Sequence, residues 1–301
     1  MVTSTVSDSR NPQNDELVVA SSRHINVNGL LLHVREWSAP NTGPSVLLVH
    51  GLASNARLWD GAAASLCELG YHVVAVDQRG HGQSEKPDEG YDMQTVASDL
   101  ATLITSLQLD RPVVAGQSWG GNVVIQLAHQ HPELIRGVCA VDGGLIQLRD
   151  RFDDWESCAS VLAPPALAGT SYARFEAMIR AAYRGWPETA VHGTLANMEV
   201  LSDGTIRPWL TRERHMKVLR GLWDHQPQKL IATLSRPVLF TPADGDGQRS
   251  ITKRDEYDRA ASGNQHVRVE WFNPAHHDLH AQYPERWANV LHAHISGGHL
   301  A

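Results

Sequence analysis

Residues 112–121 read Pro112-Val113-Val114-Ala115-Gly116-Gln117-Ser118-Trp119-Gly120-Gly121, and a stretch with helical spacing follows. An apolar run that enters a helix through such a turn presents its serine on a tight strand-to-helix bend. The serine backbone is strained there, and glycines two residues before and two after it permit the close approach that the bend demands. The hydroxyl is then held at the carboxyl end of a strand, beside a helix amino terminus whose dipole favours developing negative charge. A glycine-rich turn whose serine only caps the helix has the same pentapeptide, so the surrounding pattern must decide between the two.

Working outward, short apolar runs alternate with helical patterns from residue 23 to about 144. The runs are Ile25–Val27, Leu30–Val34, Val46–Val49, His72–Val76, Pro112–Ala115 and Val138–Val141, unbroken as strands buried on both faces are. Between them Val96, Leu100, Leu103, Ile104 and Leu107 share one helical face. Strand–helix alternation predicts a mostly parallel, twisted α/β sheet with helices on both faces. The first two runs are separated only by Asn28-Gly29, which predicts an antiparallel hairpin. Alternation lapses at about Gly144 and residues 145–226 read as an inserted helical cap. It resumes over 227–301, with a short helix at 227–234, a strand at Val238–Thr241, a helix around 252–262, a strand at Val267–Phe272 and a last helix from Pro284. That helix places Trp287, Leu291 and Ile295 on one face. The expected organisation is a tail at 1–20, a core in two parts at 21–144 and 227–301, and the cap between them.

Composition bounds the function. The chain has 301 residues, 42% of them apolar and 20% charged, with a formal net charge of −7. That argues against nucleic acid or an anionic membrane as partner. Residues 1–20 lack a basic start with an apolar stretch behind it, and no run of about twenty apolar residues could span a bilayer. Cys67, Cys139 and Cys158 are odd in number and form no CxxC pair, which fits buried thiols in a reducing compartment, the cytoplasm.

Three segments in order, strand-His50-Gly51, then Asp77-Gln78-Arg79-Gly80-His81-Gly82-Gln83-Ser84, then the turn at Ser118, resemble the α/β-hydrolase superfamily. Within it the chain is similar to single-domain serine hydrolases with a helical cap, and the similarity spans about residues 25–296. The resemblance implies that Ser118 is the nucleophile. It also implies an oxyanion hole made by the backbone N–H of Trp119 and, from the match of His50-Gly51-Leu52 to the family's HG-x motif, that of Leu52. His277 lies between the last strand and the last helix, where this fold presents its base. It precedes Pro284-Glu285 by seven and eight residues, the family's His-x6-Pro-Glu ending, with His276 its nearest rival. The orienting acid falls on Asp246 when the family pattern is counted from Pro237. Asp244 and Asp142, the latter at the end of the strand at 138–141, remain alternatives. Asp77, Arg79 and His81 are expected to hold loops beside the site.

His276, His277 and His280 lack the glutamate of H-E-x-x-H and a third ligand, so neither metal nor cofactor is expected. Trp119, Trp155, Trp186 and Trp209 are expected to line an apolar pocket above Ser118, although aromatics in a cap also simply pack its helices. The resemblance implies hydrolysis of a carboxylic ester or lactone of an apolar or aromatic small molecule through an acyl-enzyme. Carbon–carbon or amide cleavage and cofactor-free halogenation use the same triad, and some relatives are ligand-binding receptors. Epoxide hydrolases and dehalogenases of this fold use an aspartate nucleophile, which Ser118 argues against.

Overall fold

The computed structural model describes residues 20–39, 43–244 and 248–301, the side chains of 248–250 excepted. Residues 1–19 of the expected tail, and residues 245–247 with the candidate acid Asp246, lie outside the described residues.

Strands β1 (Ser21–Val27) and β2 (Leu30–Trp37) form the antiparallel hairpin. Its turn residues Asn28 and Gly29 have φ of 51° and 81°, the left-handed pair that matches the twist of the flanking strands. There follow β3 (Ser45–Val49), α1 (Asp60–Glu68), β4 (His72–Val76), α2 (Met93–Ser106), β5 (Val113–Gln117), α3 (Trp119–Gln130) and β6 (Gly137–Val141). Next come the inserted helices α4 (Trp155–Leu162), α5 (Tyr172–Ala182) and α6 (Glu188–Leu195). A short hairpin of β7 (Met198–Val200) and β8 (Ile206–Pro208) and helix α7 (Arg212–Asp224) complete the insertion. The chain re-enters the core through α8 (Pro227–Ile231), β9 (Val238–Thr241), α9 (Gln248–Gly263), β10 (Val267–Val269), α10 (Leu279–Gln282) and α11 (Pro284–Ser296).

The large sheet has the order β1-β2-β4-β3-β5-β6-β9-β10 and is parallel from β4 onward. Its central strands are buried on both faces, and the side-chain period of two divides them between two cores. Leu47, Val49, Val74, Val76, Val114, Val138 and Phe240 pack with α2 and α3 on one side. Val46, Leu48, Val73, Ala75, Val113, Cys139 and Leu239 pack with α1 and α11 on the other. Each fully buried aliphatic side chain contributes about 1.5–3 kcal/mol, so both faces must be covered. The predicted helical faces are the buried ones, Val96, Leu100, Leu103 and Ile104 on α2 and Trp287, Leu291 and Ile295 on α11.

Two details differ from the sequence reading. Regular pairing of the last strand ends at Val269 rather than Phe272, which rejoins the sheet by an isolated bridge to Ala243. The insertion also contains the β7–β8 hairpin, whose three-residue strands are too short to register as apolar runs. Phe175, Val191, Leu195 and Ile206 give the insertion a small core of its own, and Leu58 with Ala190 and Ala281 joins it to the main body.

Candidate active site

Ser118 follows β5 directly and has φ 54° and ψ −121°, a conformation that costs a non-glycine residue of order 1–3 kcal/mol. The surrounding hydrogen bonds and packing hold it there. Its N–H donates to Val141 O at 2.9 Å, and its own carbonyl accepts from Gly121 N at 2.9 Å. Glycine is required at the second position beyond it, because a Cβ on Gly120 would meet His50 O at 2.4 Å and Val49 O at 2.6 Å. The same tight packing brings the loop after β3 to the serine. A Cβ added to Gly51 would lie 3.1 Å from Ser118 Cβ. His50 shapes that loop. Its Nδ1–H donates to Gly51 O at 2.7 Å while Nε2 accepts from Gln78 N at 3.0 Å, and burial lowers its pKa and keeps the ring neutral.

The carboxylate that meets the candidate base is Asp142. Its Oδ2 lies 2.5 Å from His277 Nδ1. Asp142 follows β6 in the left-handed region, with φ 43°, and its side chain is 8% exposed. The other oxygen, Oδ1, accepts from Ala243 N at 2.8 Å and from Lys253 Nζ of α9, and Lys253 also donates to Ala243 O at 2.6 Å. Burial acts to raise the Asp142 pKa, but the hydrogen bond from His277 and the charge of Lys253 outweigh it and hold the group ionised below its usual range. Asp244, the neighbouring alternative, is buried and faces Arg254 in an ion pair.

An ionised Asp142 takes the Nδ1–H of His277 and leaves Nε2 with a lone pair, the tautomer a general base needs. Burial acts to lower the His277 pKa. The hydrogen bond and charge of Asp142, with the charge of Asp278, together overcome that and raise it above its ordinary value, while Lys253 opposes them. The base loop is tied to the elbow by Gln117, whose Nε2 donates to Asp278 Oδ1 at 3.1 Å and to His277 O at 3.4 Å. Among the described residues no hydrogen bond joins Ser118 Oγ to His277. Such contacts are often long in unliganded sites and tighten when substrate seats.

Residues 44–170 match the alpha/beta hydrolase fold family. A stretch of 201 residues, 67% of this chain, is 31% identical to 2-(acetamidomethylene)succinate hydrolase of Mesorhizobium japonicum and covers 70% of that protein. The chain belongs to the α/β-hydrolase superfamily. A crystal structure of E-2-(acetamidomethylene)succinate hydrolase superposes with a TM-score of 0.76 at 23% identity, covering 92% of this chain and 99% of that one. An uncharacterized Mycobacterium tuberculosis protein is 36% identical over 110 residues, 36% of this chain, and the match spans only 32% of that relative's length.

The rest of this α/β-hydrolase supports the loops around the serine. Asp77 Oδ1 accepts from Ala56 N at 2.7 Å and its Oδ2 from Gln83 N at 2.9 Å, while Arg79 grips Asp99 through two bonds of 2.5 and 2.8 Å. His81 is buried and stacks on Trp119 with centroids 5.4 Å apart.

The four candidate pocket tryptophans occupy different surroundings. Trp119 is wholly enclosed. Trp155 packs edge-on against Trp223, with Arg220 over its face. Lys86 lies over Trp209 at 5.0 Å. Trp186 is the one brought to the base loop. It stacks on Tyr183 at 4.2 Å and meets His276 edge-on at 5.0 Å, and Tyr183 Oη reaches Asp278 Oδ2 at 3.4 Å. Tyr183 is one of the cap aromatics visible in the sequence, whereas Gln117, Asp278 and Lys253 were given no role from it. Only Gln117, inside the serine pentapeptide, carried a signal that could have found it.

His280 lies at 4.0 Å on Trp59, and burial drives its pKa down to about 3. Among the described residues no group of three or more His, Cys, Asp or Glu side chains is placed to hold a metal ion, and no helix is long and apolar enough to cross a membrane.

Proposed function

We propose that this α/β-hydrolase cleaves a carboxylic ester or lactone of an apolar or aromatic small molecule through an acyl-enzyme, with Ser118 as nucleophile, His277 as base and Asp142 as orienting acid. The observation that carries the reading is the 2.5 Å contact between His277 Nδ1 and Asp142 Oδ2, on a loop that Gln117 ties to the strained serine. Asp142 takes the role that the family pattern gave to Asp246.

Ser118 Oγ attacks the carbonyl carbon and its proton passes to His277 Nε2. The N–H groups of Leu52 and Trp119 receive the oxyanion. The intermediate collapses, the C–O bond to the leaving alkoxide breaks, and the alkoxide takes the proton from His277. Water then repeats the sequence on the acyl-enzyme. Trp186 and Tyr183 supply an aromatic wall beside the base loop. Cys67, Cys139 and Cys158 are buried free thiols, in keeping with a cytoplasmic setting.

Amide cleavage is the second reading. It is favoured by the 31% identity to a hydrolase named for 2-(acetamidomethylene)succinate. The same steps apply, with His277 protonating a leaving nitrogen. Assaying p-nitrophenyl esters of graded chain length with wild type and Ser118→Ala tests the proposal. Equal slow turnover by the two proteins refutes it. Faster release of ammonia or amine from acyl-enamides than of p-nitrophenolate from every ester moves the assignment to amides.

A further inference from the structure

A second Ser–His–Asp chain lies on the hairpin side of the sheet. Ser22 Oγ on edge strand β1 is 2.7 Å from His33 Nε2 on β2, and His33 Nδ1 is 2.8 Å from Asp77 Oδ2, just past the end of β4. Strand register produces the first contact. His33 stands directly across from His24, and Ser22 lies two residues along on the same face, the diagonal position that long side chains bridge. The second contact follows from β2 pairing with β4, with Val34 opposite Val76.

The directions of the hydrogen bonds are those of a proton-withdrawing chain. Burial acts to raise the Asp77 pKa, but the hydrogen bond from His33 and the N–H of Ala56 act against it, and the net shift is downward, so the carboxylate is ionised. A carboxylate only accepts, so Nδ1 of His33 carries the hydrogen and Nε2 is left to accept from the Ser22 hydroxyl. His33 and Asp77 are 2% and 3% exposed, which fixes the imidazole, whereas Ser22 is at the surface.

We propose that Ser22 is a second acyl-accepting site, activated by His33 and Asp77, that takes a small acyl group from an activated ester. In the step, Ser22 Oγ forms a bond to the ester carbonyl carbon and its proton passes to His33 Nε2. The bond to the aryloxide breaks with its electron pair, and the aryloxide leaves and is protonated by His33. Ser22 sits on a regular strand, whereas Ser118 sits on left-handed backbone at the start of α3. The helix terminus that favours an oxyanion serves only Ser118, so Ser22 is expected to capture one acyl group rather than turn over.

The test uses Ser118→Ala protein, which makes the outcome independent of the Ser118 reaction. It is treated with p-nitrophenyl acetate, and acetylation of Ser22 and Ser21 is followed by peptide mass spectrometry. Ser21 is an internal control, exposed on the same strand, whose hydroxyl donates to Glu36 O at 3.5 Å and, among the described residues, has no histidine beside it. Base assistance predicts labelling of Ser22 about a hundredfold faster than Ser21, approaching one acetyl group per chain. Adding His33→Gln should bring Ser22 down to the Ser21 rate. Labelling of Ser22 no faster than Ser21 overturns the proposal, and that comparison needs no His33 variant to fold. Labelling that survives His33→Gln in folded protein overturns it as well.

Discussion

Asp142→Asn is the substitution on which the proposed chemistry rests. The carboxylate accepts on both oxygens, from His277 Nδ1 at 2.5 Å on one and from Ala243 N and Lys253 Nζ on the other. An asparagine keeps the oxygen that Ala243 and Lys253 bind, so the loop stays placed. The atom facing His277 becomes an NH2 group, which only donates. His277 must then present a lone pair at Nδ1 and carry its hydrogen on Nε2, the wrong tautomer for taking a proton from Ser118. The corresponding change in a Ser-His-Asp triad costs about ten-thousandfold in kcat, or about 5.4 kcal/mol of transition-state stabilisation. Folding should suffer less. Asp142 and Lys253 lose their charge attraction, but Lys253 is 28% exposed and keeps access to water, so a loss of about 1–2 kcal/mol is expected. The assay pairs kcat on the best p-nitrophenyl ester with thermal unfolding, for Asp142→Asn and Asp246→Asn side by side. The reasoning fails if Asp142→Asn keeps a tenth or more of wild-type kcat, or if Asp246→Asn is the variant that collapses while remaining folded.

The His277 pKa is raised above 6.5, and the base works only when deprotonated, so kcat/KM should fall as pH drops through a midpoint above 6.5; a midpoint below that value in the pH–rate profile contradicts it. The same shift contributes to stability below the unfolded-state value and is lost as pH rises through the folded one, so activity and this share of stability move in opposite directions. Lys253→Met removes a cation that opposes protonation of His277, so the acidic limb should move to still higher pH, with rates recovering above it; an unmoved profile would show that Lys253 is only a surface ion partner. Gly120→Ala places a Cβ against the carbonyls of Val49 and His50, backbone that cannot swing aside, and should cost about 3 kcal/mol in denaturant unfolding. Arg79→Ala leaves Asp99, 2% exposed, as a buried carboxylate with no cation and only the Asn28 amide at 3.0 Å, and should destabilise by about 3–5 kcal/mol, read by the same measurement.

What could be read from sequence was whatever is local in the chain. The central strands are unbroken apolar runs because both faces are covered, and Asn28-Gly29 announces its hairpin because few residue pairs accept two positive φ angles. Ser118 is legible for a similar reason, since the glycines around it answer to a single turn. The carboxylate that meets His277 was not singled out from sequence. Three aspartates follow adjacent strands, and the choice depends on which carboxylate a loop more than thirty residues away in sequence presents to His277. Lys253 lies on a largely polar helix where a lysine carries no pattern, and its contact with Asp142 exists only because α9 packs beside the end of β6. The pocket reading was weakest on the same ground. Tryptophan count locates an aromatic region, but packing alone decides that Trp186 stands beside His276 while Trp119 is buried and stacked on His81.

The parallel sheet explains why a carboxylate leaving β6 and one leaving β9 could serve the proposed chemistry equally. The two strands are neighbours, with Val141 level with Thr241, so the residues that leave them enter the same space at the carboxyl edge of the sheet. Asp142 is the first residue past β6, and its N–H still bonds Thr241 O at 3.1 Å, so its position is set by the strand itself. Its positive φ turns the chain at once, and Gly143 follows because a Cβ there would meet Ser118 O at 2.1 Å. Serine turn and aspartate turn therefore touch, and each is fixed by the other's backbone.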